Sequence, residues 1–252
     1  MKNSMAEVNK RRDKIRNIVA KNPISLMDLS KELNVSEMTI RRDCNVLEKM
    51  GIISRKKGIV QIIDQDTFNP TKSIINIEQL LAKKAAQYIS DNTVVFINSS
   101  KTAVRAIQHI QSNNVSVVTN NLRSIEYPIP DNVNVILSGG HYDQAPKMTA
   151  GDVAYNTFNS FHADYAIIGC DGLDPQFGVS TSKIDGARIN RIIVQHSKKV
   201  ILVTSYEKIG NISNLKIADI SDIDLLITDS FADQKVINEL EKTGLNVVQL
   251  NV

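Results

Sequence analysis

Two sets of side chains in this 252-residue chain could do chemistry, and they lie in different parts of it. Near the amino terminus Ser36, Glu37, Thr39, Arg41 and Arg42 crowd together, and Arg55, Lys56 and Lys57 follow shortly after. Guanidinium and ammonium groups neutralise phosphates, and arginine also donates bidentately to guanine, so this set suits DNA backbone and base edges. Farther on come Ser99, Ser100, Lys101 and Thr102, then Asn120, Gly139 and Gly140, Asp171 and Gly172, Thr181, Asp185 and Arg188, and Lys208. Small hydroxyls, open backbone amides and lysines suit a phosphate-bearing small molecule. Any one of these stretches is ordinary turn chemistry, so the reading depends on a fold that brings them to one place.

Charge separates the two sets. Residues 1–63 hold 14 of the 30 Lys and Arg but only seven of the 27 Asp and Glu, so a segment of net +7 precedes a remainder of −4. Basicity confined to one end is what attraction to phosphates requires. Cys44 and Cys170 stand far apart with no CxxC or Cys/His cluster, so no disulfide framework, metal or cofactor is expected. No run nears the roughly 20 apolar residues of a membrane span, and the first 21 residues carry charges where a signal peptide is apolar. A cytoplasmic, globular protein without a membrane partner is therefore expected, its 42% apolar content sufficient for a core.

The elements that must position the basic set are legible. Ile15, Ile18 and Val19 within residues 11–20 have helical spacing, ended by Asn22-Pro23. Ser25 with Asp28 forms a variant capping box before a short helix carrying Leu29 and Leu33, and Asn34 can end it in the left-handed conformation. Ser36 caps a third helix, Glu37 to Met50, whose Ile40, Cys44, Leu47 and Met50 share an inward face. That leaves its amino-terminal polar residues outward, as on a recognition helix. After Gly51, Ile52-Ile53 and Ile59–Ile63 read as strands around a basic turn, residues 54–58, making a wing. Residues 1–63 are thus expected to be a winged helix-turn-helix DNA-binding domain.

Residues 64–77 read as a linker, polar with one Pro and no periodicity, and 78–252 as an α/β domain. A helix is expected over residues 78–89. Apolar runs follow at 94–97, 115–118, 133–137, 165–168, 200–203, 225–227 and 247–250, mostly continuous and separated by helical patterns, which predicts a mostly parallel sheet covered on both faces. Ligands bind such sheets at the carboxyl ends of strands, where the second set of residues falls. Neither a P-loop nor a GxGxxG fingerprint is present.

The run SLMDLSKELNVSEMTIRRD at residues 25–43, with Leu47-Glu48 and Gly51-Ile52-Ile53, resembles the amino-terminal signature of the DeoR family of bacterial transcriptional regulators. The resemblance continues through TNN at 119–121, SGG at 138–140, GCDGLDPQFGVST at 169–181, and Ser205 with Lys208. It implies a carboxyl-terminal domain similar to ribose-phosphate isomerases and sugar-phosphate deaminases that senses a phosphorylated sugar or related metabolite. The first loop departs from the pattern: the family commonly has an Asp and a Gly before its Thr pair, where this chain has Asn98, Ser99, Ser100 and Lys101.

The expected function is a repressor of carbohydrate genes that binds a double-stranded DNA operator as a homodimer or homotetramer and responds to a sugar-phosphate effector. The alternative is a sugar-phosphate isomerase or deaminase with a DNA-binding appendage. Its acid–base candidates, Asp171, Asp185, Lys208 and His141, form no close constellation by spacing, so no catalytic residues are assigned. A sequence-blind nucleoid protein is disfavoured by the acidic second domain.

Overall fold

A computed structural model of the chain describes residues 5–49, 51–56, 58–63 and 70–251, in two compact units that divide between Asn76 and Ile77. The first unit contains α1 (Met5–Val19), β1 (Ile24–Ser25), α2 (Leu26–Glu32), α3 (Glu37–Lys49), β2 (Ile53–Lys56) and β3 (Ile59–Ile62). The strands pair antiparallel in the order β1-β3-β2, so the two wing strands are joined by a third.

Local signals set these boundaries. Ser25 Oγ accepts the Asp28 N–H at 3.0 Å and itself donates to the Asp28 carboxylate at 2.6 Å, capping α2. Asn34 takes φ 50°, the left-handed turn that separates α2 from α3. Ser36 Oγ accepts the Thr39 N–H at 3.2 Å and opens α3. Ile15, Val19, Leu29, Ile40, Cys44, Leu47, Ile53 and Val60 meet in one buried core, each large aliphatic side chain contributing about 1.5–3 kcal/mol by leaving water. The expected basic turn is shorter than its sequence suggested. Ser54, Arg55 and Lys56 belong to β2, with Lys56 opposite Ile59, because Gly58 at φ 80° closes the hairpin tightly. Lys57 and Met50 lie outside the described residues.

One charged residue sits on the inner side of α3. Asp43 is buried and accepts from Arg11 Nε at 2.6 Å and Arg12 Nε at 3.1 Å, both on α1. This ion triad ties α1 to α3 and fixes which way α3 is rolled.

Helix α4 (Pro70–Ala86) runs across the boundary into the second unit and begins inside the stretch expected to be a linker. Proline is favoured at the first helical position, and Ile74, Ile75 and Ile77 extend the helical pattern upstream of residue 78. There follow β4 (Val94–Ile97), α5 (Lys101–Val104), β5 (Val115–Thr119), β6 (Val133–Leu137), β7 (His141–Asp143), β8 (Met148–Ala150), α6 (Gly151–Asn159) and β9 (Ala163–Ile168). Next are β10 (Gly172–Asp174), β11 (Gly178–Thr181), α7 (Ile184–Gln195), β12 (Ser197–Val203) and β13 (Leu215–Ala218). The chain ends with β14 (Leu225–Asp229), α8 (Gln234–Lys242) and β15 (Asn246–Leu250). The seven apolar runs form the seven strands of one wholly parallel sheet, ordered β15-β14-β12-β9-β4-β5-β6. Its centre is buried on both faces, and Phe96 of β4 meets Phe158 of α6 edge-to-face at 5.2 Å.

Two small antiparallel sheets, β10-β11-β13 and the β7-β8 hairpin, were not expected. Their strands are three or four residues long, and they pair through contacts that no local pattern announces. Among the described residues no helix is long and apolar enough to cross a membrane.

The Asp43 triad generates a prediction. Asp43→Ala removes the buried carboxylate shared by two part-buried guanidinium groups and should destabilise the first unit by roughly 3 kcal/mol. Amide hydrogen exchange in α1 and α3 would then be about a hundredfold faster. Unchanged exchange would mean that the triad carries no net energy.

Candidate functional site

On α3 the buried stripe is Ile40, Cys44 and Leu47. At about 100° per residue, Met38, Arg42 and Asn45 fall within about 50° of the point opposite that stripe, and all three are exposed. The candidates chosen from sequence divide around this face. Arg41 is turned along one flank, its guanidinium held by Glu37 at 2.8 and 3.1 Å. Thr39 is tied to the cap through Ser36 Oγ at 2.8 Å. Arg42 projects outward.

Arg55 does not project freely from the wing. Its Nε donates to Glu48 at 2.9 Å, its Nη2 also reaches Asn45, and its backbone N–H donates to Glu48 Oε1 at 3.0 Å. The Arg55 hydrogen bond is the main reason that the Glu48 carboxyl is held below the usual range. Arg55 thus locks the wing to α3, while Lys56 at the end of β2 is exposed. Sequence reading missed Met38 and Asn45 because nothing marks an exposed Met or Asn as functional before the helix is rolled into register. It missed Asp43, Arg11 and Arg12 because charged residues are ordinarily solvated.

In the second unit the chain adds β5 and β6 on one side of β4, then β9, β12, β14 and β15 on the other. The direction reverses between β4 and β9, the kind of switch point at whose carboxyl ends open α/β sheets form a ligand crevice. Asn98, buried at the exit of β4, joins the two loops: its Nδ2 donates to the Gly169 carbonyl at 2.9 Å and to Asn190 at 3.1 Å. Its Oδ1 accepts the N–H groups of Gly169 at 3.1 Å and Ser100 at 3.2 Å. The loops approach so closely that a Cβ on Gly169 would stand 2.2 Å from Ser100 Oγ. Ser100 Oγ also accepts the Thr102 and Ala103 N–H groups at 3.2 Å, so its hydroxyl is occupied, whereas Lys101 is exposed.

Asp171 and Lys208 carry the crevice's opposite charges. Asp171 Oδ2 accepts from Thr181 Oγ1 at 2.9 Å, Ser182 N–H at 2.8 Å and Ser182 Oγ at 2.9 Å, while Oδ1 takes none of these bonds. Burial works to raise the Asp171 pKa, but those donors and the Lys208 charge outweigh it and hold the carboxyl below its usual value. Lys208 is half-buried on a turn anchored by Asp229, whose carboxylate accepts the Tyr206 N–H at 2.8 Å and the Phe231 N–H at 3.0 Å. Burial dominates at Asp229 and raises its pKa. Beside Asp171, burial pushes the Cys170 thiol up to about 12, which keeps it protonated at neutral pH.

The other candidates are placed differently. Asn120 is buried and donates to the Thr149 carbonyl at 3.0 Å, but its Oδ1 has no hydrogen-bond partner. Asn121, which had not been chosen, donates to the Ser100 carbonyl at 2.9 Å and the Asn98 carbonyl at 3.2 Å. Gly139 and Gly140 are backbone requirements at φ 67° and 107°, and a Cβ on Gly140 would strike the Ala150 carbonyl at 2.3 Å. Gly172 is likewise confined, by the Asn211 carbonyl at 2.5 Å. Asp185 and Arg188 are exposed and engaged elsewhere: Asp185 lies 3.9 Å from His141 Nε2, and Arg188 pairs with Asp152 at 2.6 Å above the Tyr155 ring. Among the described residues no His, Cys, Asp or Glu cluster could hold a metal.

Comparison with known proteins places both units. The model of the DeoR C terminal sensor domain matches residues 75–230, and that of the DeoR-like helix-turn-helix domain matches residues 11–66. The HTH-type transcriptional regulator GlpR of Haloferax volcanii is 31% identical over 232 residues, which is 89% of this chain and 90% of that protein. The HTH-type transcriptional regulator GolR of Listeria innocua is 28% identical, over 90% of this chain and 92% of its own. The glycerol-3-phosphate regulon repressor of Escherichia coli is 26% identical, over 82% and 84%.

Asp171 supplies a pH prediction. A carboxyl whose folded pKa is depressed stabilises the fold above its unfolded pKa, near 4, and loses that contribution as pH falls through the folded value. Asp171→Asn should therefore lower the urea midpoint of the second unit at pH 7, with the gap to the native chain closing below about pH 4. Tyrosine fluorescence reads this unit, because all six tyrosines lie beyond residue 77. A gap independent of pH would assign the loss to hydrogen-bond shape rather than charge.

Proposed function

The chain belongs to the DeoR family of DNA-binding transcriptional regulators, and from that premise we propose that it is a cytoplasmic repressor of carbohydrate genes, released from its operator by a phosphorylated sugar or related metabolite. The observation that carries the DNA half is the outward face of α3, where Arg42 stands opposite the buried stripe in a segment of net +7. A recognition helix presents such a face to the major groove, and Lys56 on the wing meets the adjacent phosphates. Arg41 joins them by exchanging Glu37 for a phosphate or a guanine.

The effector half rests on the crevice between the exits of β4 and β9. Lys208 and Lys101 supply cations for a phosphate, and Asp171 Oδ1 supplies an acceptor for a sugar hydroxyl, the role left open by Asn98 in the first loop. The name of one relative, a glycerol-3-phosphate regulon repressor, fits a phosphorylated polyol as the class of ligand. Asp185 and Arg188 stand outside this set. The effector acts by binding the DNA-competent and DNA-incompetent states unequally. A homodimer, with further pairing to a tetramer as its extension, sets two recognition helices against two operator half-sites. Exposed Leu137, Tyr142, Val153 and Ile184 on the second unit supply apolar surface for such an interface.

Membership in a regulator family sets aside the enzyme alternative, and the acid–base candidates remain divided between Asp171 with Lys208 and His141 with Asp185.

Two variants test the proposal. Arg42→Ala should weaken binding to an operator duplex by roughly 10- to 100-fold without changing thermal stability; unchanged gel-shift affinity would remove α3 from the interface. Lys208→Ala should keep full DNA affinity but lose release by sugar phosphates, and a normal response would place the effector elsewhere.

A further inference from the structure

Among the described residues Met38 is the one side chain on the outward face of α3 that has no polar group to offer DNA, and it is 65% exposed. It occupies the first turn of α3, the part of a recognition helix that reaches deepest toward base edges. Its immediate neighbours are engaged within the protein: Glu37 with Arg41, and Thr39 with Ser36. Met38 and Arg42 are one helical turn apart on the same face, so a groove contact that brings the Arg42 guanidinium to a phosphate or guanine brings the Met38 thioether to the adjoining base pair. An unbranched, polarisable side chain held in water at that place matches a single feature of the major groove, the C5-methyl group of thymine.

We propose that Met38 is a specificity-determining residue, reading a thymine methyl beside the base pair contacted by Arg42. This rests on the assignment of α3 as the DNA-reading helix and adds to it the base that this chain selects. Burial of Met38 against the methyl contributes discrimination of the size expected for one methyl group, roughly three- to tenfold in affinity. Glu37 and Arg41 offer only charged groups from the flank and do not supply a preference for a methyl.

The test uses the full chain and a duplex enriched by it from a randomised pool. Each thymine is replaced in turn by deoxyuridine, which keeps the pairing edge and lacks only the methyl. At one position per half-site the replacement should weaken binding three- to tenfold. Met38→Ala, whose exposed side chain makes no core contribution, should bind the thymine and deoxyuridine duplexes equally, and Met38→Leu should retain part of the preference. Enrichment with Met38→Gln should change the preferred base pair there toward adenine, which glutamine reads bidentately. The proposal fails if no single replacement weakens binding, or if Met38→Ala discriminates as the native chain does. Arg42→Ala separates this failure from that of the underlying reading. Loss of affinity in Arg42→Ala with intact methyl discrimination in Met38→Ala overturns Met38 alone. Undiminished affinity in Arg42→Ala, or no enrichment at all, overturns both.

Discussion

The roll of α3 about its own axis depends on the carboxylate of Asp43. Hydrophobic burial of Ile40, Cys44 and Leu47 chooses a face of the helix, but an apolar stripe is non-directional and tolerates rotation by tens of degrees. The two guanidinium groups of Arg11 and Arg12, on α1, meet the two carboxylate oxygens of Asp43 within 3.1 Å, and that geometry permits one orientation. Met38, Arg42 and Asn45 are then directed outward. The ion pair of Arg55 with Glu48 applies a second constraint from the wing, so the hairpin and helix share one frame. Pre-organisation of this kind removes ordering cost from the moment of binding.

The crevice follows the same logic with different chemistry. Asn98 uses both ends of its amide to bind the β4 and β9 loops together, and Gly169 lets Ser100 approach where any side chain would clash. Asn121 adds two more donors to that loop. These groups are consumed by the scaffold. The set proposed for the ligand is smaller, Asp171 with Lys208 and the exposed Lys101. Sequence alone could not separate the holders from the readers, since both are Ser, Asn, Asp and Lys at strand exits.

Continuous apolar runs identified all seven strands of the parallel sheet, because strands covered on both faces leave no choice of residue type. Caps at Ser25 and Ser36 and the left-handed Asn34 placed the first unit's helices with similar clarity. The β7-β8 and β10-β11-β13 sheets were hidden because strands of three or four residues are too short to carry a periodic pattern and draw their identity from their partners. Arg55 reads as a phosphate contact because its basicity is visible in sequence, whereas its pairing with Glu48 on α3 is not. Asp185 and Arg188 gave the same kind of ambiguity, and their partners His141 and Asp152 lie on other elements.

On the function proposed above, α3 and the wing form the DNA-reading surface and the larger unit does not. Hydrogen exchange of the full chain, with and without a duplex enriched from a randomised pool, tests it most directly. Slowed exchange at the first turn of α3 and across the β2-β3 hairpin, with the strands of the second unit unchanged, is the predicted result. Protection that spared residues 36–42 and appeared instead on the second unit would contradict the account.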